Sequence, residues 1–253
     1  MDGMFWLYAV VMVIALIGMI ACSKKQRTNP AMQPVAFVLF IVVVVCGIML
    51  MKDQFSGSGA SSSVIKQETA FYASQGYKVG DYFKATIPGQ KVLVIAEPGF
   101  ENNQQLQKLI DSFKEGYGSE NVVVDTVTLP PGTEELQQPL YVTMKAKELD
   151  ELIEKHSDAK ILLNLIGLPE DSRRLKFWNG SDHPAMVLIN FQSGVVNNLP
   201  SLIQKGQITG IVIPSRDAKY DVPVPGDPLE AFKIRFVLVD KDNVNEYKDQ
   251  LMI

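Results

Sequence analysis

The sequence predicts a two-helix transmembrane hairpin followed by a doubly wound, mainly parallel three-layer α/β domain. Three observations carry that prediction. No charged residue occurs from Gly3 through Ser23, a run of 21, or from Thr28 through Met51, a run of 24. From Lys91 onward, short apolar runs alternate with segments whose apolar residues recur at helical spacing. Between these regions, Phe55–Ser63 (FSGSGASSS) is a Gly/Ser tract. The 47% hydrophobic content of the 253 residues is therefore an average over two media. It excludes a freely soluble chain, a disordered one and a disulfide-stapled scaffold.

A bilayer core of about 30 Å needs roughly 20 apolar residues of helix, because every backbone polar group must be paired internally. Helices at about 4–22 and 35–51 meet that need. The second is rich in β-branched residues, but it is far longer than an ordinary strand. The loop at 23–34 carries Lys24, Lys25 and Arg27, whereas the N-terminal tail carries only Asp2. The positive-inside bias then makes the loop cytoplasmic, with the N-terminus and everything after Met51 outside a cell (inner) membrane. Met19-Ile20-Ala21-Cys22 loosely matches a lipoprotein cleavage box, but the basic n-region of a signal peptide is absent. Cys22 and Cys46 fall at different depths of the hairpin, too far apart for a disulfide. The divisions are residues 1–53 for the hairpin, 54–90 for a flexible linker and membrane-proximal segment, and 91–253 for the exterior domain.

Within the membrane-proximal segment, Ser63–Ser74 suits a short helix and Gly76–Gln90 reads as irregular or as a short strand pair. Strands are then expected at 91–96 (KVLVIA), 122–127 (VVVDTV), 160–166 (KILLNLI), 186–191 (MVLINF) and 208–213 (ITGIVI). Leu106, Leu109, Ile110, Phe113 and Tyr117 mark one face of the first intervening helix. Others are expected near Met144–His156, Asp171–Phe177 and Leu199–Lys205, the last with Asn198 as cap and Gly206 as stop. FKIRFVLVD (232–240) reads as a final, more alternating edge strand, and Val244–Leu251 as a closing helix capped by Asp242. Strands apolar on both faces and separated by helices specify a parallel sheet covered on both sides, and right-handed crossovers wind it doubly.

The stretch KVLVIAEPGFENNQQLQKLIDSFKEGYGSENVVVDTV resembles the opening β-α-β of type 1 periplasmic sugar-binding proteins, and FVLVDKDNVNEYKDQL is similar to the end of such chains. The resemblance implies a solute-binding or sensory domain built like one lobe of that family. The family closes two lobes over its ligand, whereas Lys91–Ile253 is 163 residues, about one lobe.

In such sheets ligands bind beyond the carboxyl ends of the strands. Four loops qualify: Glu97–Asn103, Gly167–Asp171, Gln192–Val195 and Pro214–Asp217. Glu97 and Glu101 place negative charge beside the helix that follows the first loop, which favours the helix and disfavours phosphate. Asn190, Gln192, Arg216 and Asp217 are the candidates to hydrogen-bond a neutral polyol, with Phe100 or Phe191 stacking on it. The bland account is a surface ion pair between Arg216 and Asp217 and phenylalanines that merely pack. Asn164 interrupts an apolar strand, and a backbone partner inside the fold is the expected outcome. His156 ends a helix and His183 lies in a turn, neither with metal-ligand spacing. Asp240-Lys241-Asp242-Asn243 lacks the glycine and glutamate of a calcium loop, and no G-x-S-x-G elbow occurs. No catalytic set, metal site or cofactor is expected.

After Gln54 the chain holds 20 Lys/Arg and 26 Asp/Glu, a net of −6 without a basic run, which argues against nucleic acid. The leading expectation is a non-enzymatic, membrane-integral accessory or scaffold subunit whose partners are other membrane-protein subunits. The alternative is capture or sensing of a small neutral solute.

Overall fold

A computed structural model describes residues 3–25, 32–56, 58–118, 120–128, 140–179, 183–189 and 198–251. The chain divides into two compact units, 1–66 and 67–253. In the first, α1 (Gly3–Lys25) and α2 (Met32–Ser56) occupy the two uncharged runs. They pack closely: a Cβ on Gly18 would stand 3.1 Å from the Leu39 side chain. Aliphatic and aromatic residues such as Ile14, Ile17, Phe37 and Ile48 stay exposed. Among the described residues no helix is long and apolar enough to cross a membrane. The transmembrane hairpin expected at about 4–22 and 35–51 is therefore not supported by the described residues. The basic turn at 26–31, with Arg27, lies outside the described residues.

The expected linker and irregular segment are both corrected. A single helix, α3, covers Ser58–Thr86. Its Gly, Ser and Ala residues cost a helix at most about 1 kcal/mol each, and the turns that follow bury Phe71, Val79 and Phe83 completely. Gly76 and Gly80, inside the stretch expected to be irregular or a strand pair, are where α3 meets α4 (Gln104–Tyr117). A Cβ on Gly76 would fall 2.1 Å from the Leu109 carbonyl oxygen, and one on Gly80 would fall 2.4 Å from that of Phe113. Gly116 on α4 answers them, with Tyr77 O at 2.3 Å. Only bare backbone fits there.

The second unit is built on six strands: β1 (Val92–Ala96), β2 (Val122–Thr126), β3 (Ile161–Asn164), β4 (Ala185–Leu188), β5 (Gly210–Pro214) and β6 (Phe236–Asp240). Their order is β2-β1-β3-β4-β5-β6. The first five are parallel and β6 is antiparallel to β5. One face buries Leu93, Ile95, Leu162 and Leu188 with the short α5 (Leu140–Thr143), α6 (Ala146–Lys155) and α7 (Leu199–Gln204). The other buries Val92, Val94, Leu163 and Val187 with Val79, Phe83 and α4. The domain is therefore the expected mainly parallel three-layer α/β fold. Odd and even residues of each strand enter different cores, as the strand period requires.

Three local expectations change. The stretch 232–240 is strand only from Phe236, because Asp227 caps α8 (Pro228–Arg235) by accepting from Leu229 N–H at 2.8 Å. The closing helix shrinks to α9 (Lys248–Leu251) after a run of turns. Asp242 does not cap it; its amide donates to Asp240 Oδ1. The expected helical piece near Asp171–Phe177 is two 3-10 turns, Ser172–Arg174 and Lys176–Asn179.

Candidate functional site

The strand order fixes where a ligand could meet this domain. The chain leaves β1 for β2 on one side, then crosses to β3 on the other, so a topological switch point lies between β1 and β3. The loops 97–103 and 165–171 flank it, and in open α/β sheets such a crevice is the usual binding place.

The first loop turns on Gly99 at φ 78, then makes a 3-10 turn over Phe100–Asn102. Asn103 caps α4, its Oδ1 accepting from the Gln105 and Leu106 amides at 3.1 and 3.2 Å. Its Nδ2 donates to Glu97 Oε1 at 3.3 Å, and the Gln107 amide side chain donates to the Glu101 carbonyl. The helix N-terminus is thus occupied by the chain's own groups and bordered by carboxylates, a poor seat for phosphate. Phe100 is half-buried, packed against the core on the α4 face.

In the second loop, Asn164 is fully buried and serves the turn that follows it. Its Nδ2 donates to Gly167 O and its Oδ1 accepts from Ile166 N–H, both at 2.9 Å. This is the backbone pairing that a buried amide requires. Gly167 follows at φ 79. Asp171 accepts from Ala146 N–H at 2.8 Å, closing the loop against the start of α6. Both flanks of the switch point are held by side-chain hydrogen bonds, local ones at Asn103 and Asn164 and a longer-range one from Ala146 to Asp171.

Of the remaining candidates, Asn190 and Gln192 lie outside the described residues. Arg216 and Asp217 stand exposed at the end of β5. Arg216 donates from Nε to Gln250 Oε1 at 3.1 Å and from Nη2 to Glu246 O at 3.0 Å. The guanidinium thereby ties the carboxyl end of β5 to the C-terminal turns. Asp217 engages Ser215 Oγ through its backbone amide at 3.3 Å. Phe100 and Arg216 are separated by β3 and β4 in the sheet, so the structure brings the described candidates to one rim but not to one point.

Sequence reasoning missed the residue that secures this rim. Arg235, at the end of α8, is 2% exposed. It forms a two-point pair with Glu68 at 2.5 and 2.9 Å and lies 3.6 Å over the Phe71 ring. Its remaining donors reach the carbonyls of Lys219 (3.1 Å) and Tyr220 (3.3 Å) in the loop after β5. Gln67 adds a hydrogen bond to Val222 O. The signal was the second cation in FKIRFVLV, set between Ile234 and Phe236, which a strand reading turns outward and the α8 geometry turns inward.

At the opposite edge, Asp125 projects from β2 and accepts from Lys155 at 2.6 Å and His156 at 2.7 Å. Partial burial opposes its ionisation, but hydrogen bonds from His156, Lys155 and the Thr126 amide outweigh this and hold its carboxyl at about 2. A polar cleft of about 200 Å³ opens beside it, with Glu148 and Glu151 on its wall. A larger cavity of about 370 Å³, mostly apolar, lies along β6. Among the described residues no group of His, Cys, Asp and Glu could hold a metal ion.

These features define a doubly wound α/β lobe with a β1/β3 switch point. No protein-family model matches the chain, and no curated protein matches it. Solved structures are similar to it at low identity. A carbohydrate transporter from Acidothermus cellulolyticus 11B in complex with myo-inositol is 12% identical, with a TM-score of 0.44 over 72% of this chain and 61% of that one. AraP, an arabinose-binding protein from Geobacillus stearothermophilus, is 14% identical, with a TM-score of 0.43 over 70% and 63%. A sugar-binding protein of a sugar ABC transporter from Bacillus halodurans is 15% identical, with a TM-score of 0.44 over 70% and 64%. The chain spans less than two thirds of each. They are of the same kind as the resemblance read from the sequence, and the likeness extends to no ligand or activity of this chain.

Proposed function

We propose that this chain is a membrane-tethered, single-lobe α/β module that binds or senses a small neutral solute at the carboxyl-end rim of its sheet. The observation that carries the reading is the β1/β3 switch point, flanked by two loops that their own hydrogen bonds hold in place. Phe100 and the exposed Arg216 and Asp217 belong to that rim, and Asn190 and Gln192 join them as candidates from the sequence alone. A ring face, amides, a guanidinium and a carboxylate suit hydroxyl-rich, uncharged ligands. The tether is the α1–α2 hairpin, placed in the membrane on the strength of its two uncharged runs and the three cations between them. The α/β domain is then on the outer side.

Thermal denaturation of the full chain with a panel of neutral pentoses, hexoses and cyclitols tests this. A binder present at about 100 times its Kd adds roughly 2.7 kcal/mol of stability, so at least one sugar is expected to raise the Tm saturably. Arg216→Ala and Asp217→Ala should each abolish that rise. A panel without any shift overturns solute binding.

A second reading, an accessory subunit of a larger membrane complex, is favoured by one observation. The apolar side chains of Ile14, Ile17, Phe37 and Phe40 remain exposed after α1 and α2 have packed together. A chain that runs as a lone monomer after mild detergent extraction rules this reading out.

A further inference from the structure

We infer that the outer edge of β6 is a docking site for an extended peptide in which acidic residues flank an apolar one. The register with β5 and the Ser215 N–H to Arg235 C=O bond (2.8 Å) turn the backbone of Val237 and Val239 toward β5. Phe236, Leu238 and Asp240 therefore direct their backbone groups to the free edge. Most of these are satisfied by the chain itself. Phe236 N–H donates to Phe232 O. The Asn243 side chain accepts from Asp240 N–H at 2.9 Å and donates to Leu238 O at 3.0 Å. Asp240 O accepts from Val244 N–H at 2.9 Å. Asn243 thus blunts the distal half of the edge, the usual protection of an exposed strand.

Among the described residues, the Phe236 carbonyl and the Leu238 amide are left facing outward, one acceptor and one donor two residues apart. In a parallel ladder a single residue, opposite Val237, satisfies both with its own N–H and C=O. They open onto the 370 Å³ cavity, whose wall includes Phe236, Val237 and Leu238. Strand alternation then assigns the side chains of the guest. The residue opposite Val237 turns toward Tyr247, and its two neighbours turn toward Phe232 and Leu238 on the α8 side. The charged residues lining this cavity are Lys78 and Lys233, both cations in a domain of net charge −6. Their existing partners are exposed, Asp81 at 3.9 Å and Glu230 at 2.8 Å, and such surface pairs are worth little. A glutamate on each side of the apolar residue lays its stem on the aromatic wall and its carboxylate against a lysine. Strand addition of this kind draws affinity from main-chain bonds and specificity from alternate side chains.

The test uses the full chain in lipid nanodiscs and a fluorescein-labelled peptide with the core Glu-Val-Glu, read by anisotropy. Saturable binding is expected, weakened about tenfold or more when the valine is N-methylated, since one buried main-chain bond is lost. A Lys-Val-Lys peptide should bind no better than background. The variant Lys78→Glu with Lys233→Glu should lose the acidic peptide while keeping its Tm. The proposal is overturned by an absence of saturable binding at about 1 mM, by equal binding of the N-methyl peptide to the unaltered chain, or by free glutarate competing as well as the peptide does. The last result would make the cavity a small-carboxylate site.

Discussion

Two stretches of α3 face the same sheet and solve opposite problems. Around Gly76 and Gly80 the helix meets α4 with nothing but backbone, closely enough that a Cβ would overlap carbonyl oxygens. One to two turns earlier, Glu68 and Phe71 meet α8 through the largest polar side chain available, the buried Arg235. The first contact gains by removing side chains, so its whole stabilisation is dispersion and apolar burial around the seam. The second desolvates a guanidinium and must return that cost through a carboxylate, a ring face and two carbonyls. A glycine seam tolerates no addition, and a buried arginine tolerates no subtraction.

The sharpest way to break that contrast is at the arginine. Replacing Arg235 by Ala removes the stack on Phe71 and frees the Lys219 and Tyr220 carbonyls, with an expected loss of about 4 kcal/mol. Glu68→Gln keeps a hydrogen-bonding partner but leaves the guanidinium without its counter-charge. Because the Glu68 side chain is 46% exposed, water compensates and about 1 kcal/mol is expected. Urea unfolding of both variants measures this. A smaller loss for Arg235→Ala than for Glu68→Gln would show that the joint is held by charge alone and not by stacking.

At the glycine seam, Gly80→Ala adds one methyl 2.4 Å from Phe113 O and 2.7 Å from Tyr117 N, which forces α3 and α4 apart. The propensity gain of alanine is at most about 1 kcal/mol, whereas overpacking against backbone costs roughly 1–3 kcal/mol. A net destabilisation of about 2 kcal/mol is expected. The same substitution at Gly89, where a Cβ meets nothing within 4 Å but φ is +72, separates steric overlap from backbone preference. Equal losses at the two positions would remove the seam from the account.

The two joints also mark where the sequence was readable. The core strands were found because apolar runs and helical spacing are local signals, and each strand began within two residues of its expected start up to β5. The turn role of Asn164 was readable because a buried amide in an apolar strand has few fates. The stretch 76–90 was misread: without the position of α4, nothing announces that Gly76 and Gly80, whose spacing of four places both on one helix face, form a packing seam. Arg235 was missed for a related reason. Its partners Glu68 and Tyr220 are 167 and 15 residues away, and no pattern within FKIRFVLV announces them. The rim candidates Phe100 and Arg216 followed from topology, but the tie of Arg216 to Glu246 and Gln250 depends on where the C-terminal turns settle.

The exposed counterpart of the Arg235 joint is Asp125 on β2, where Lys155 and His156 meet one carboxylate nearer to solvent. It provides the smallest and most specific test of the contrast. Its pKa falls from the ordinary 3.8 to about 2 on folding. A depressed carboxyl contributes stability that is present above its unfolded pKa and is lost as protonation sets in between about pH 4 and pH 2. Screening at this partly exposed site reduces the effect to about 1 kcal/mol. Asp125→Asn should therefore be less stable than the unaltered chain at pH 5, and the gap should close as pH falls through that window. Paired urea midpoints at pH 5 and at about pH 2 measure it. Adding about 1 M salt at pH 5 should shrink the Asp125 gap while leaving the Arg235→Ala loss in place, because a stacked and desolvated guanidinium is shielded from mobile ions. A gap that ignores both acid and salt would mean that Asp125 holds the edge of β2 by hydrogen-bond geometry and not by charge.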